Sequence, residues 1–135
     1  MSEPTTAAAY PYSTNLNILF GAMETIDVGE LVGRVQDEWY NQTLCRVNDA
    51  VVRVGVIRGE YHWHKHQNED EFFFVLSGRL LIDFERRDDD EPGKVVTLEP
   101  RQAYVVPRGI VHRTRAPERT VILMVEPANV IPTGN

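Results

Sequence analysis

The chain has 135 residues, 42% hydrophobic and 25% charged, with a formal net charge of −6. That is one soluble globular domain with room for a real core but not for two. The acidic balance argues against general binding to nucleic acid or anionic membranes, which require basic surface, and the single cysteine, Cys45, excludes an internal disulfide and suits a reducing compartment.

Residues 1–13 are small, polar and proline-punctuated, so they are expected to form a flexible arm ahead of a single domain spanning 14–135. No basic-then-apolar leader opens the sequence, and no apolar run approaches the roughly 18 residues of a membrane span. The expected location is therefore the cytoplasm. Leu16, Leu19, Phe20, Met23 and Ile26 follow helical spacing, which predicts a short helix over 16–26. Leu31 to Tyr40 suits either a strand or a helical turn.

From residue 42 onward the pattern is β. Strands are predicted over 42–47 and 51–57, joined by an Asn48-Asp49 turn, and Cys45 falls in the first of them as a buried thiol. Further strands are predicted over 61–66, 72–76 and 79–85. Arg86 to Lys94, with three consecutive aspartates, a proline and a glycine, reads as a solvated hairpin tip. Strands over 95–98, 102–106, 112–116 and 119–125 follow, and the tail from Glu126 is expected to run over the surface. Short strands at this spacing, with no helix between them, point to an all-β double-sheet jelly roll.

Three of the four histidines lie between His62 and His66. Alternate residues of a strand share a face, which puts His64 and His66 on one side, about 7 Å apart along the chain. An antiparallel return would bring Glu71 back beside them. His112 follows the Pro107-Arg108-Gly109 turn. Three imidazoles and a carboxylate, without thiolate, suit a divalent first-row metal rather than a structural zinc. Glu69 and Asp70 compete with Glu71 for the carboxylate role and are read as solvated loop charges. His62 shares the parity of His64 and His66, so it is placed, with Tyr104, in the pocket wall or behind the ligands.

At these residues the chain resembles the cupin superfamily. His64, His66 two places on, Glu71 after four residues and Gly78 after six more match the first cupin motif, except that Arg58 stands where its opening glycine belongs and Gly59 comes one place late. Pro107, Gly109 and His112 match the second motif, with Arg101 at its glycine and Ala116 at its asparagine. The likeness spans about residues 50–125 and is greatest to small single-domain cupins called mannose-6-phosphate isomerase-like. It implies a double-stranded β-helix, preceded here by a short helical or irregular segment, and His64, His66, Glu71 and His112 as ligands. It further implies one divalent ion per chain (iron, manganese, nickel, zinc or copper) and a homodimer, for which Leu16, Ile18, Phe20 and Trp63 are spare apolar residues.

Four protein ligands leave an octahedral ion two open positions for water or a small ligand. The resulting expectation is a metal-dependent isomerase, lyase or dioxygenase acting on a small polar metabolite, with a non-catalytic binding or sensing module as the alternative. Arg101, Arg108, Arg113 and Arg115 crowd the second motif and offer an anion partners. By alternation, however, Arg113 and Arg115 face away from His112.

Overall fold

The computed structural model describes residues 11–85 and 93–134. Eight strands and one short helix follow one another as β1 (Ser13–Asn15), α1 (Val28–Gly33), β2 (Trp39–Val47), β3 (Ala50–Glu60), β4 (Glu71–Ser77), β5 (Leu80–Phe84), β6 (Val95–Leu98), β7 (Ala103–Val106) and β8 (His112–Pro127). This is the expected all-β double-stranded β-helix. No described helix is long and apolar enough to cross a membrane.

The long strand β8 organises the barrel. Its first half pairs with β5, from Phe84↔His112 to Leu81↔Arg115, and its second half with β4, from Ser77↔Val121 to Phe72↔Val125. Strand β3 runs beside it along both halves. The two strands predicted over 112–116 and 119–125 are thus one, and it passes between sheets at Pro117, where the missing N–H costs no ladder bond. The register of β3 shifts opposite that point, between Ile57 and Gly59. Gly59 has φ +100 and Arg101 has φ 72. The glycine one place late therefore still supplies a left-handed residue. At the second motif Arg101 adopts that conformation itself, at a cost of roughly 1 kcal/mol.

Alternation divides β2, β3 and β8 between two cores. Leu44, Val54, Val56 and Val121 face outward and are covered by Phe20, Ile26, Val28, Leu31, Val32 and Val35. Trp39, Ile57, Tyr61, Phe73, Val75, Ile82, Ile122 and Met124 fill the barrel.

The N-terminal expectations need correction. Residues 16–26 are not helical: Leu19 and Phe20 donate backbone hydrogen bonds to the carbonyls of Thr43 and Leu44, and Met23 takes φ 65. Contact with β2 outweighs helical spacing that no cap supports. The helix starts instead where Asp27 caps it, accepting from the Glu30 N–H at 3.0 Å. Phe20, read as spare for an interface, belongs to the outer core. Residues 1–10 of the expected arm, and residues 86–92 of the expected hairpin tip, lie outside the described residues. At the arm's end Ser13 pairs with Tyr40 in β1, and Tyr12 stacks on Tyr61 at 4.3 Å. Cys45 is half-buried on β2, beside a bulge between Thr43 and Cys45.

Candidate metal centre

The segment carrying the histidines is not the strand predicted over 61–66. It follows the start of β8 through a few backbone bonds: the Tyr61 N–H donates to Thr114, His64 and His112 exchange both bonds at 2.9 and 2.8 Å, and the Gly109 N–H donates to His66. Freed from a ladder, it turns both His64 and His66 inward. Glu71 opens β4 and His112 opens β8.

His64, His66, Glu71 and His112 each offer one ligand atom, and these atoms all lie within 4.8 Å of one another. Glu71 Oε1 is 3.4 Å from His66 Nε2 and 3.4 Å from His112 Nε2, and all three atoms are buried without a hydrogen-bond partner. The far nitrogens of two rings are tied down: His64 Nδ1 donates to the His62 carbonyl at 3.0 Å and His112 Nδ1 to the Ile110 carbonyl at 2.9 Å. Those bonds fix the tautomer that leaves Nε2 as an acceptor. Buried acceptors converging on one point, with the donors turned outward, is what a cation requires. The residues therefore fit a divalent metal and could hold one.

Electrostatics agree. Burial, and next the neighbouring His112, push the His64 imidazole down to about 3, so it is neutral and able to ligate at any ordinary pH. Burial raises the Glu71 carboxyl, but the His112 and His66 rings outweigh it and hold Glu71 well below the usual carboxylate range. It is ionised.

Glu71 and His64 look into a narrow cavity of about 30 Å³, also lined by Trp39, Asn41, Ile57, Phe73, Met124 and Pro132. Two charged residues on its wall were not expected there: Arg53 on β3, and Glu126, which was expected to open a surface tail and is instead buried in β8. Both have an apolar neighbour on each side, and only strand parity could have pointed them inward. Glu126 Oε2 is 3.3 Å from Arg53 Nε, with both side chains almost fully buried. Burial, and then the charge of Glu71, push the Glu126 carboxyl up to about 9 against the opposing pull of Arg53.

Two readings change, those of Glu69 and Tyr104. Glu69 is not a solvated charge: it is buried, with Oε1 unpartnered, while Asp70 is exposed and accepts from the Arg108 N–H at 2.9 Å. His62 is no ligand. Its carbonyl orients His64, and its Nε2 lies 2.7 Å from the Thr133 carbonyl, so the ring holds the C-terminal tail over the site. Tyr104 faces inward against Phe84, 6.0 Å away, and not onto this cavity. Arg113 and Arg115 point away from the centre as alternation requires, and both bind Asp83.

Fold and site together define a jelly-roll barrel with a nitrogen–oxygen donor cluster at one end of its interior. Residues 51–126 match the Cupin_2 family (cupin domain), and the chain belongs to it. The chain is 41% identical over 96 residues to the uncharacterised protein YdbB of Bacillus subtilis (strain 168), covering 71% of this chain and 80% of that one. A cupin-2 domain containing protein from Shewanella frigidimarina shares the fold at TM-score 0.67 and 30% identity, over 76% of this chain and 94% of that chain. The hydroquinone 1,2-dioxygenase PnpCD in complex with Fe3+ is similar at TM-score 0.68 and 16% identity, over 80% of this chain and 33% of that chain. That last likeness is one of fold.

Proposed function

We propose that the protein is a metal-dependent enzyme of the isomerase, lyase or dioxygenase type, acting on a small polar metabolite. His64, His66, Glu71 and His112 would hold one divalent ion. The observation that carries this reading is the convergence of ligand atoms from all four residues on one point, those of His66, Glu71 and His112 buried and without a hydrogen-bond partner. Bound there, an ion supplies Lewis-acid charge or redox chemistry together with open coordination positions. The chain's own contribution is to fix the rings through the His62 and Ile110 carbonyls and to narrow the cavity with Trp39, Ile57, Phe73 and Met124. Nitrogen and oxygen donors of this kind suit iron, manganese, nickel, zinc or copper. The iron named for the dioxygenase of similar fold supports trying iron first.

The test is elemental analysis of freshly purified protein, followed by oxygen uptake and product analysis with small diketones, phenols and thiols. About one ion per chain with turnover of a member of these classes is expected. A protein that takes up no first-row ion after reconstitution is not what we propose, and a loaded protein that binds ligand without turnover is instead a sensing module. The same reading has the chain working as a homodimer through the exposed Leu16 and Ile18. A monomer at micromolar concentration by light scattering would refute that part.

A further inference from the structure

Arg53 takes no part in the donor cluster, yet its side chain lies on the wall of the same cavity and is 4% exposed. Nε and Nη1 are buried without a hydrogen-bond partner, since Glu126 Oε2, though 3.3 Å from Nε, is not placed to accept. A guanidinium is always charged and can only donate. Buried donors of that strength call for an acceptor, and the planar fork suits the two oxygens of a carboxylate.

The surroundings narrow the choice. Arg113 and Arg115 are engaged with Asp83, and Arg119 with the carbonyls of Val32 and Val35. Asn41 reaches the same cavity wall from β2. Its place depends on Gly55 next door: a Cβ there would come within 3.1 Å of Asn41 Oδ1 and 3.0 Å of Ile122 Cγ1. The side chains Trp39, Ile57, Phe73 and Met124 on the same wall carry no charge. The cavity thus offers a guanidinium at Arg53 with the Glu126 carboxyl beside it, apolar side chains between, and donor atoms at the Glu71 and His64 end.

We propose that Arg53 is a carboxylate-binding subsite, and that the substrates are small hydroxy- or oxo-carboxylates. The carboxylate lies on the Arg53 guanidinium, and the hydroxyl or carbonyl oxygen reaches toward the donor cluster. The second contact rests on the metal-centre reading; the first does not.

The experiment titrates Mn(II)-loaded full-length protein calorimetrically with pyruvate and glycolate, and with hydroxyacetone and 1,2-ethanediol, which replace the carboxylate by an alcohol. A carboxylate can also bind manganese, so the informative quantity is how the preference for the charged probes depends on residue 53. Arg53→Gln should reduce that preference at least about tenfold, the loss of a charge-assisted pair, and leave Mn(II) affinity within about threefold. Arg53→Lys, which keeps the charge and loses the fork, should fall between, and it serves alone if Arg53→Gln does not fold. An unchanged preference in these variants, or no detectable binding of either carboxylate to the wild type, overturns the proposal. The same titrations on metal-free protein separate the two readings. If Mn(II) does not bind the wild type but pyruvate binds in an Arg53-dependent way, the metal centre falls and the subsite stands.

Discussion

Strands β2, β3 and β8 are buried on both faces, and the two faces are finished differently. The outer one places Leu44, Val54, Val56 and Val121 against the N-terminal segment and α1, apolar on apolar. The inner one, one residue out of phase, contributes Asn41, Arg53 and Glu126 to the cavity wall. Among the described residues, the buried side-chain atoms without a hydrogen-bond partner belong to Arg53, His66, Glu69, Glu71, His112, Glu126 and, elsewhere, Thr43. An unfilled buried polar group costs about 1–3 kcal/mol. A chain that packs one face of a strand without such a group, and gathers several on the other, is not badly packed. It keeps that cost where a cation and an anion can recover it.

The largest expected effect separates the faces directly. His64→Ala combined with His66→Ala should weaken Mn(II) or Zn(II) binding by more than about 100-fold, read by equilibrium dialysis, while far-UV circular dichroism stays β-rich. Full metal content in that variant would remove the ligand assignment. Glu71→Gln should weaken binding more than Asp70→Asn, because Asp70 is exposed and serves Arg108. The outer face should show the reverse. Leu44 is 2% exposed, so Leu44→Ala should cost about 2–5 kcal/mol in denaturant unfolding and change Mn(II) affinity by less than about twofold. A large metal defect in Leu44→Ala would mean that the two faces are not independent.

What the sequence made legible follows the same division. His64, His66, Glu71 and His112 could be read because their residue types are chemically committed and their spacing recurs in a known motif. The strands from 42 onward could be read from alternation. Arg53 and Glu126 could not, because a charged residue between apolar neighbours is usually a solvent-facing one, and only the register of β3 on β8 turns this pair inward. Glu69 was misjudged for a related reason: of three adjacent acids, two are buried, and no local signal says which. The helix expected at 16–26 failed because apolar spacing states which residues are covered but not by what. Met23 is fully exposed, while Phe20 and Ile26 are held against β2 by an irregular chain.

A smaller effect concerns pH, where two groups act in opposite directions. The folded-state pKa of His64 is lowered to about 3, so as pH falls below 6.5 the unfolded chain takes up a proton that the folded one refuses. Stability from this group is therefore lost on acidification. The pKa of Glu126 is raised to about 9, so above 4.5 the unfolded chain releases a proton that the folded one keeps. Stability from this group is lost as pH rises. Between about 4.5 and 6.5 the slopes offset each other, and from 6.5 to 9 the Glu126 slope remains. Metal-free protein should thus be less stable at pH 8.5 than at pH 6, and Glu126→Gln should flatten that fall in calorimetric melts. Bound metal should add to stability by mass action, about 2.7 kcal/mol at 100 times its dissociation constant. A Glu126→Gln variant that keeps the wild-type slope would show that Glu126 is ionised in the fold.

The smallest expected effect distinguishes the arginines of the surface from the one inside. Asp83 is nearly buried, and burial alone would raise its carboxyl, but Arg115 and then Arg113 hold it below its usual range. Arg115 binds both Asp83 oxygens, at 2.6 and 3.0 Å, whereas Arg113 gives one bond of 2.9 Å and shares its guanidinium with Glu60 at 3.2 Å and the Trp63 ring at 4.9 Å. With Arg113 removed, Asp83 keeps its forked partner. Arg113→Ala should therefore cost only about 0.5–1 kcal/mol in denaturant unfolding. Arg115→Ala should cost more, because it leaves the carboxylate with a single bond. Neither substitution should alter pyruvate affinity, since both side chains turn away from the cavity. If Arg113→Ala or Arg115→Ala lowered that affinity as much as Arg53→Gln, anion recognition would lie at the rim of the barrel and not in its interior.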